Sequence, residues 1–274
     1  KDVSYPTYNE LFNEVNEAKP ELVFTIRDDK ENVVKKIYKN LSEGLSRFHW
    51  DLRYEDNSPI NLSSSSFYNP FAGVSEGTLV NPGTYTIDMS ILKAGETIKV
   101  TDNQSFNVVA LNNTVMPAAD RAAKVNFQRK VSKLQAEMGE YSRKFSEISN
   151  KMPYIDEAIK KVEQPVDEIS KIAWDVKQSI KEVNLKYYGD SVKSRLDIQT
   201  YLSPYSRLGS VAYYQKYSTA APTKTHMESY EIANDEFQPI KLIIDELKGK
   251  MTNLENQLKD LGAAYTPGRP KVIN

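Results

Sequence analysis

The chain has 274 residues, with 36 Lys and Arg against 37 Asp and Glu, two His and no Cys. A net charge of -1 removes the electrostatic footprint of a nucleic-acid binder, and the missing Cys excludes disulfides, thiolate zinc sites and thiol nucleophiles. No run approaches the roughly 18 apolar residues of a membrane span, and the length suits two domains of ordinary size.

The first residue is Lys1, with no Met and no apolar leader, so the chain reads as a piece of a larger protein, with 1–19 as a linker. From about residue 21 the hydrophobic period is two. Leu22, Phe24 and Ile26 alternate with Val23, Thr25 and Arg27, and the polar run Asp28 to Asn32 predicts a hairpin turn into Val33–Tyr38. Phe48, Trp50, Leu52 and Tyr54 mark one face of a further strand. Residues 55–82 then break the rhythm with Ser63 to Ser66, Pro70, Gly73 and Gly77, a long loop in which Phe67, Tyr68 and Phe71 predict partial packing. Tyr85, Ile87, Met89 and Ile91 resume the alternation. A turn at Ala94-Gly95 folds back onto Ile98 and Val100, and Phe106, Val108 and Ala110 close the series. At least six short strands predict an immunoglobulin-like antiparallel β-sandwich over 20–114.

After Pro117 the period becomes helical. Phe127, Val131, Leu134, Met138, Tyr141, Phe145, Ile148 and Met152 step by four and three. A second seam runs from Ile155 to Tyr187 and a third from Tyr230 to Leu261. Met152-Pro153 and Gly189 bound the second long helix in this reading, and Ser203 caps a shorter helix over 204–217 with Pro204 at its first position. Thr225 with Glu228 offers a capping box for the last helix. Pro165 and Pro239 fall inside periodic patterns and predict kinks or interruptions. The fold class expected is therefore α+β in two domains: the sandwich, then an antiparallel four-helix bundle of long helices with a C-terminal tail over 115–274.

Chemistry is sparse. There is no phosphate-binding GxxxxGK[ST], no GxGxxG, no HExxH and no GxSxG. His49 and His226 are far apart and fall in different domains. Asp51 and Glu55 beside Arg53 and Tyr54 could form an acid–aromatic patch, but an ion pair of Asp51 with Arg47 or Arg53 next to Trp50 is the better account, since nothing nearby names a substrate. Asp28, Asp29 and Glu31 lack the oxygen spacing and glycine of a calcium loop. No catalytic, cofactor-binding or metal-binding residue is expected. Seven of 17 tyrosines fall between 187 and 217. Tyr213, Tyr214 and Tyr217 among them suit recognition of a protein or sugar, or else packing of the short helix onto its neighbours.

Two sets of residues carry a family resemblance. Ile26-Arg27-Asp28 through Asn32-Val33-Val34, Gly44 through Arg53, and Asn81-Pro82-Gly83-Thr84-Tyr85-Thr86 resemble the immunoglobulin-like domain of the flagellar hook-capping type. Asn32 takes the place of that pattern's hairpin glycine, which Asn tolerates because it accepts positive φ. The signature Arg47, Trp50, Asp51 and Arg53, the helical region and the tail Gly262 to Pro270 together resemble the C-terminal part of bacterial proteins with a sortilin-type, BNR-repeat β-propeller, often labelled glycosyl hydrolases. The propeller's Asp-box, S-x-D-x-G-x-x-W, is absent here, so no catalytic residue carries over. The resemblance implies a secreted, periplasmic or cell-surface setting and a non-catalytic C-terminal module partnered by an upstream propeller, and by another protein or a glycan. Two other roles stay open: glycan binding through Phe67, Tyr68 and Phe71, and a lid over the propeller site formed by loop 55–82.

Overall fold

Six helices and one antiparallel sheet of five strands make up the computed structural model of the protein, which describes residues 5–60, 76–111 and 116–264. These residues divide into two compact units. One holds 5–56, 76–111 and 116–117; the other holds 57–60 and 118–264. The fold class is α+β.

In the first unit the strands are β1 (Glu21–Arg27), β2 (Val33–Asn40), β3 (Gly83–Lys93), β4 (Glu96–Lys99) and β5 (Gln104–Val108). Their order is β2-β1-β3-β4, and β5 also pairs with β3. The eleven-residue β3 makes this possible: its last residues pair with β4 and its first with β5. Between them the N–H groups of Val100 and Thr101 both donate to the Met89 carbonyl, a local irregularity that lets the returning chain continue along one edge. Register brings Ile26 opposite Ile87, Phe24 opposite Met89 and Tyr85 opposite Phe106. These pairs share one face, since side chains alternate along a strand. The core beneath it is Ile26, Val34, Val80 and Tyr85, with Trp50, Tyr54 and Phe106 packed around it.

The expected strand over 48–54 takes another form. Leu52 sits at φ 56°, and the Trp50 indole N–H donates to the Arg53 carbonyl at 2.9 Å, so the segment curls instead of pairing. What remains among the described residues is the bridge Arg53–Leu79 and a hydrogen bond from the Glu55 N–H to the Val34 carbonyl at 3.1 Å. Among the described residues the apolar face of the sheet is covered by aromatic coil, with Trp50 edge-on to Tyr85 and Phe106, and not by a second sheet. The β1–β2 turn differs in a smaller way: positive φ falls on Glu31 rather than Asn32. Asn32 instead donates its backbone N–H to the Asp28 carboxylate at 2.9 Å, and Lys30 does so at 3.0 Å. Ahead of the sheet, the expected linker contains helix α1 (Tyr8–Asn16), closed by a Thr7–Glu10 capping box.

The second unit contains α2 (Arg121–Lys160), α3 (Asp167–Tyr188), α4 (Ser191–Arg195), α5 (Pro204–Tyr217) and α6 (Lys224–Asp260). Side-chain pairs fix the directions. Glu137–Lys241, Tyr141–Asp245 and Lys151–Glu255 join α2 to α6 at a constant separation of 104 residues, so these two helices run parallel. Lys177 pairs with Asp156, Tyr187 with Met138, and Gln128 with Gln215, so partner numbers fall as α2 numbers rise and both α3 and α5 run against α2. The short helices α3 and α5 are therefore successive segments of one returning lane, interrupted by 189–203. The shorter helix expected over 204–217 is the second segment of that lane, so the described helices of this unit form three lanes in place of the expected four-helix bundle.

Several boundaries shift from expectation. The helix α2 continues through Pro153, and α6 continues through Pro239. A proline inside a helix costs about 3 kcal/mol, which the fully buried neighbours Ile155 and Ile244 help to offset. Pro165 lies in the real break between α2 and α3. The cap of α6 is Thr223, whose hydroxyl accepts from the His226 N–H, so the helix starts before the expected Thr225–Glu228 box. Ser203 caps α5 with Pro204 at N1, and Gly189 ends α3 at φ 95°. Loop residues 57–60 lie along α2. Asn57 donates to Ser132, the Arg143 guanidinium donates to the Ile60 carbonyl at 2.7 Å, and Pro59 occupies the space that a side chain at Gly139 would need.

Candidate interaction surface on helix α5

Helix α5 is anchored by its inner residues. Leu208 and Val211 join the seam that Phe237, Ile240 and Ile244 of α6 share with α2 and α3. Gln215 is also buried. Its carbonyl accepts from the Gln128 amide at 2.6 Å, and its own amide lies 2.8 Å from His226 Nδ1. The Lys124 ammonium donates to the Ser218 carbonyl at 2.5 Å, and burial pulls its pKa below the usual lysine range. These contacts hold α5 in one rotation about its axis, and so determine which residues point outward.

The outward positions are Tyr205, Ser206, Gly209, Ser210, Tyr213, Tyr214, Lys216 and Tyr217. Tyr213, Tyr214 and Tyr217 are 63%, 57% and 69% exposed. Each supports the next: Tyr213 lies 5.0 Å from Tyr217 and 5.6 Å from Tyr214, and Tyr214 stacks on His226 at 5.9 Å. Upstream, Tyr205 packs against Tyr187 and Tyr188 at 5.7 and 5.4 Å. Two aromatic groups thus flank a stretch of small residues. Tyr205, Gly209, Tyr213 and Tyr217 recur every four residues and so follow one face, with about 12 Å of helix axis between Tyr205 and Tyr213.

The tyrosine cluster divides between buried and exposed positions. Tyr187 packs fully into the core and its hydroxyl donates to the Met138 carbonyl at 2.7 Å, with its pKa raised by burial. The tyrosines of α5 face solvent instead. Phe67, Tyr68 and Phe71 lie outside the described residues. In the signature segment Asp51 pairs with Lys35 at 3.1 Å, not with an arginine. Arg53 reaches Glu76 and the Gly77 carbonyl, and Arg47 is exposed. These contacts close the coil over the sheet and serve architecture. Gly209 and the role of Tyr205 were not singled out from sequence. The four-residue spacing 205/209/213/217 was the available signal.

Among the described residues no group of three His, Asp or Glu could hold a metal ion. The Asp28 carboxylate is occupied by its own turn: burial acts to raise its pKa, but hydrogen bonds from Asn32 and Lys30 outweigh it and hold the pKa below the usual value. A cavity of about 470 Å³ opens beside Pro165, Glu168, Gln257 and Leu261, with Asp167 and Asp260 in its lining. No His or Ser contributes to it. No helix among the described residues is long and apolar enough to cross a membrane. No family model matches the chain, and neither does any curated protein or solved structure.

Proposed function

We propose that the chain is a non-catalytic interaction module that binds another protein through the outer face of α5. The setting that the sequence resemblance implies is the C-terminal region of a secreted or surface β-propeller protein, with the sheet unit as an immunoglobulin-like element. One observation carries the reading: four tyrosines, Tyr205, Tyr213, Tyr214 and Tyr217, stand exposed on one rigid helix whose inner face is fully engaged. Tyrosine offers large rigid area at low entropic cost, with a hydroxyl for polar contacts. Mutual support among the rings lowers that cost further.

Glycan binding at the α5 face is less well supported by its ring geometry, while glycan binding through Phe67, Tyr68 and Phe71 falls outside the described residues. A sugar stacks on an open aromatic face, whereas Tyr213 and Tyr214 meet at 83° and Tyr213 and Tyr217 at 58°, so neighbouring rings share no common plane. Selection of a displayed random peptide library on the full chain tests the reading. Binders should be enriched, and joint replacement of Tyr205, Tyr213 and Tyr217 by Ala should abolish their binding while the melting temperature changes little. Specific binding on a glycan array in place of peptide enrichment, or glycosidase turnover by the purified chain, would overturn it.

A further inference from the structure

The face of α5 has a relief and a charge of its own. Ser206, Gly209, Ser210 and Tyr213 stand at positions i, i+3, i+4 and i+7, the four corners of a hole on a helix surface. Two serines and a glycine make its rim low, and Tyr205 and Tyr213 stand at its ends. Glycine is a poor helix former, and nothing among the described residues requires it at this position: a side-chain carbon at Gly209 would meet none of their atoms within 4 Å. Gly139 differs, because Pro59 fills the space above it. Gly249 on α6 is also open, but Asp245, Glu246, Lys248 and Lys250 surround it in sequence and form no aromatic rim.

Charge supplies the second observation. From Ile198 through Met227 the chain has 30 residues and no Asp or Glu, the longest such run in a protein with 37 acids, while Arg207, Lys216 and Lys224 lie within it, the last paired with Glu228 just beyond the run at 3.5 Å. All of α5 falls in this run. Elsewhere the two signs are mixed, as in the pairs Lys151–Glu255 and Lys186–Glu182.

We infer that the partner of this face is an acidic protein segment that seats one bulky apolar side chain in the hole at Gly209. The inference rests on the reading of α5 as a protein-binding face and adds the chemistry of what binds. Glycine and the two serines leave depth for the side chain, and the tyrosines enclose it and exclude water, the arrangement in which a single anchor residue contributes most. Carboxylates around the anchor meet a helix that carries Arg207 and Lys216 and no acid of its own, which favours orientation and association rate.

The test uses the same peptide selection and then the best enriched peptide, synthesised and titrated against the full chain. Enriched sequences should carry an excess of Asp and Glu around one Leu, Ile, Met or Phe, and affinity should fall as salt rises. Gly209→Leu should raise the melting temperature and weaken binding by about tenfold or more. Gly249→Leu should also raise the melting temperature and leave binding within about twofold, a difference well below 1 kcal/mol. Binders that depend on the tyrosines but lack acidic residues, or that tolerate Gly209→Leu, would overturn this inference and leave the protein-binding face intact. A selection that enriches nothing overturns both.

Discussion

The two units solve the same problem by different means. Among the described residues the helical unit buries a core of 24, all on α2, α3, α5 and α6 except Ala263 just after α6. The corresponding cluster of the sheet unit has four, Ile26, Val34, Val80 and Tyr85, closed by half-buried aromatics. Long helices bury one stripe and leave a broad polar surface, so every turn adds to a single continuous core. A small sheet without a second layer must borrow its cover from coil, and each covering residue then carries a larger share of the total. The difference predicts where each unit tolerates change and where it does not.

The sharpest contrast comes from deleting one core side chain in each. Leu254→Ala in α6, where Leu254 is fully buried, should destabilise the helical unit by about 3–4 kcal/mol, read as a lower melting temperature in the helical circular-dichroism signal. Tyr85→Ala should cost the sheet unit about 3 kcal/mol and abolish its folded signal in the near-ultraviolet, because Trp50 and Phe106 both pack on that ring. If the sheet unit survived as well as the helical one, the comparison would fail.

Smaller changes refine it. Tyr187→Phe and Tyr85→Phe each remove one hydroxyl, from the Met138 carbonyl in one unit and the Asn81 carbonyl in the other. Each should lower stability by about 1 kcal/mol in a denaturant titration. Gly209→Ala should act in the opposite direction and add about 1 kcal/mol to the helical unit, since the new methyl group meets nothing and helix propensity improves.

The smallest effect concerns acid. Asp28 has a pKa lowered in the folded chain, so its contribution is present above the unfolded value near 3.9 and is lost as pH falls through the folded value. Melting of the sheet unit between pH 5 and pH 2 should show this loss, and Asp28→Asn should flatten the profile. At the alkaline end the sign reverses. Burial raises the Tyr85 pKa to about 12, so its contribution holds below the ordinary tyrosine value of 10 and fades as pH rises towards 12.

Local pattern made much of this visible in the sequence. The strand alternation at Leu22 to Arg27, the turn at Ala94-Gly95, the cap at Ser203-Pro204 and the three helical seams all depend on neighbours a few residues apart, and all are present. Contacts at long range were not legible. Periodicity cannot show that α3 and α5 share a lane, because a seam looks the same whichever helix faces it. Pro153 reads as a boundary unless the burial of Met152 and Ile155 on either side is known. Likewise Trp50 belongs to an alternating run, yet the backbone turns at Leu52 to bring the indole over Tyr85. At the α5 surface the tyrosines were legible as a cluster. Which of them face outward depends on the rotation of the helix, and that is set by Leu208, Val211 and Gln215 in contact with distant parts of the chain.

The parallel course of α2 and α6 has an electrostatic consequence at the end of the unit where α5 finishes. The first residues of α2 and of α6 lie there together with the last residues of α5, as the contacts of Lys124 with Ser218 and of Gln215 with His226 require. Each helix N-terminus acts as roughly half a positive charge and each C-terminus as half a negative one. Two starts and one finish therefore give the backbone dipoles a net positive sum beside Tyr217, opposed at the start of α2 by the Asp120 carboxylate that caps it. That sum has no proton to lose and no side chain to mutate, so it persists at any pH at which the helices are folded.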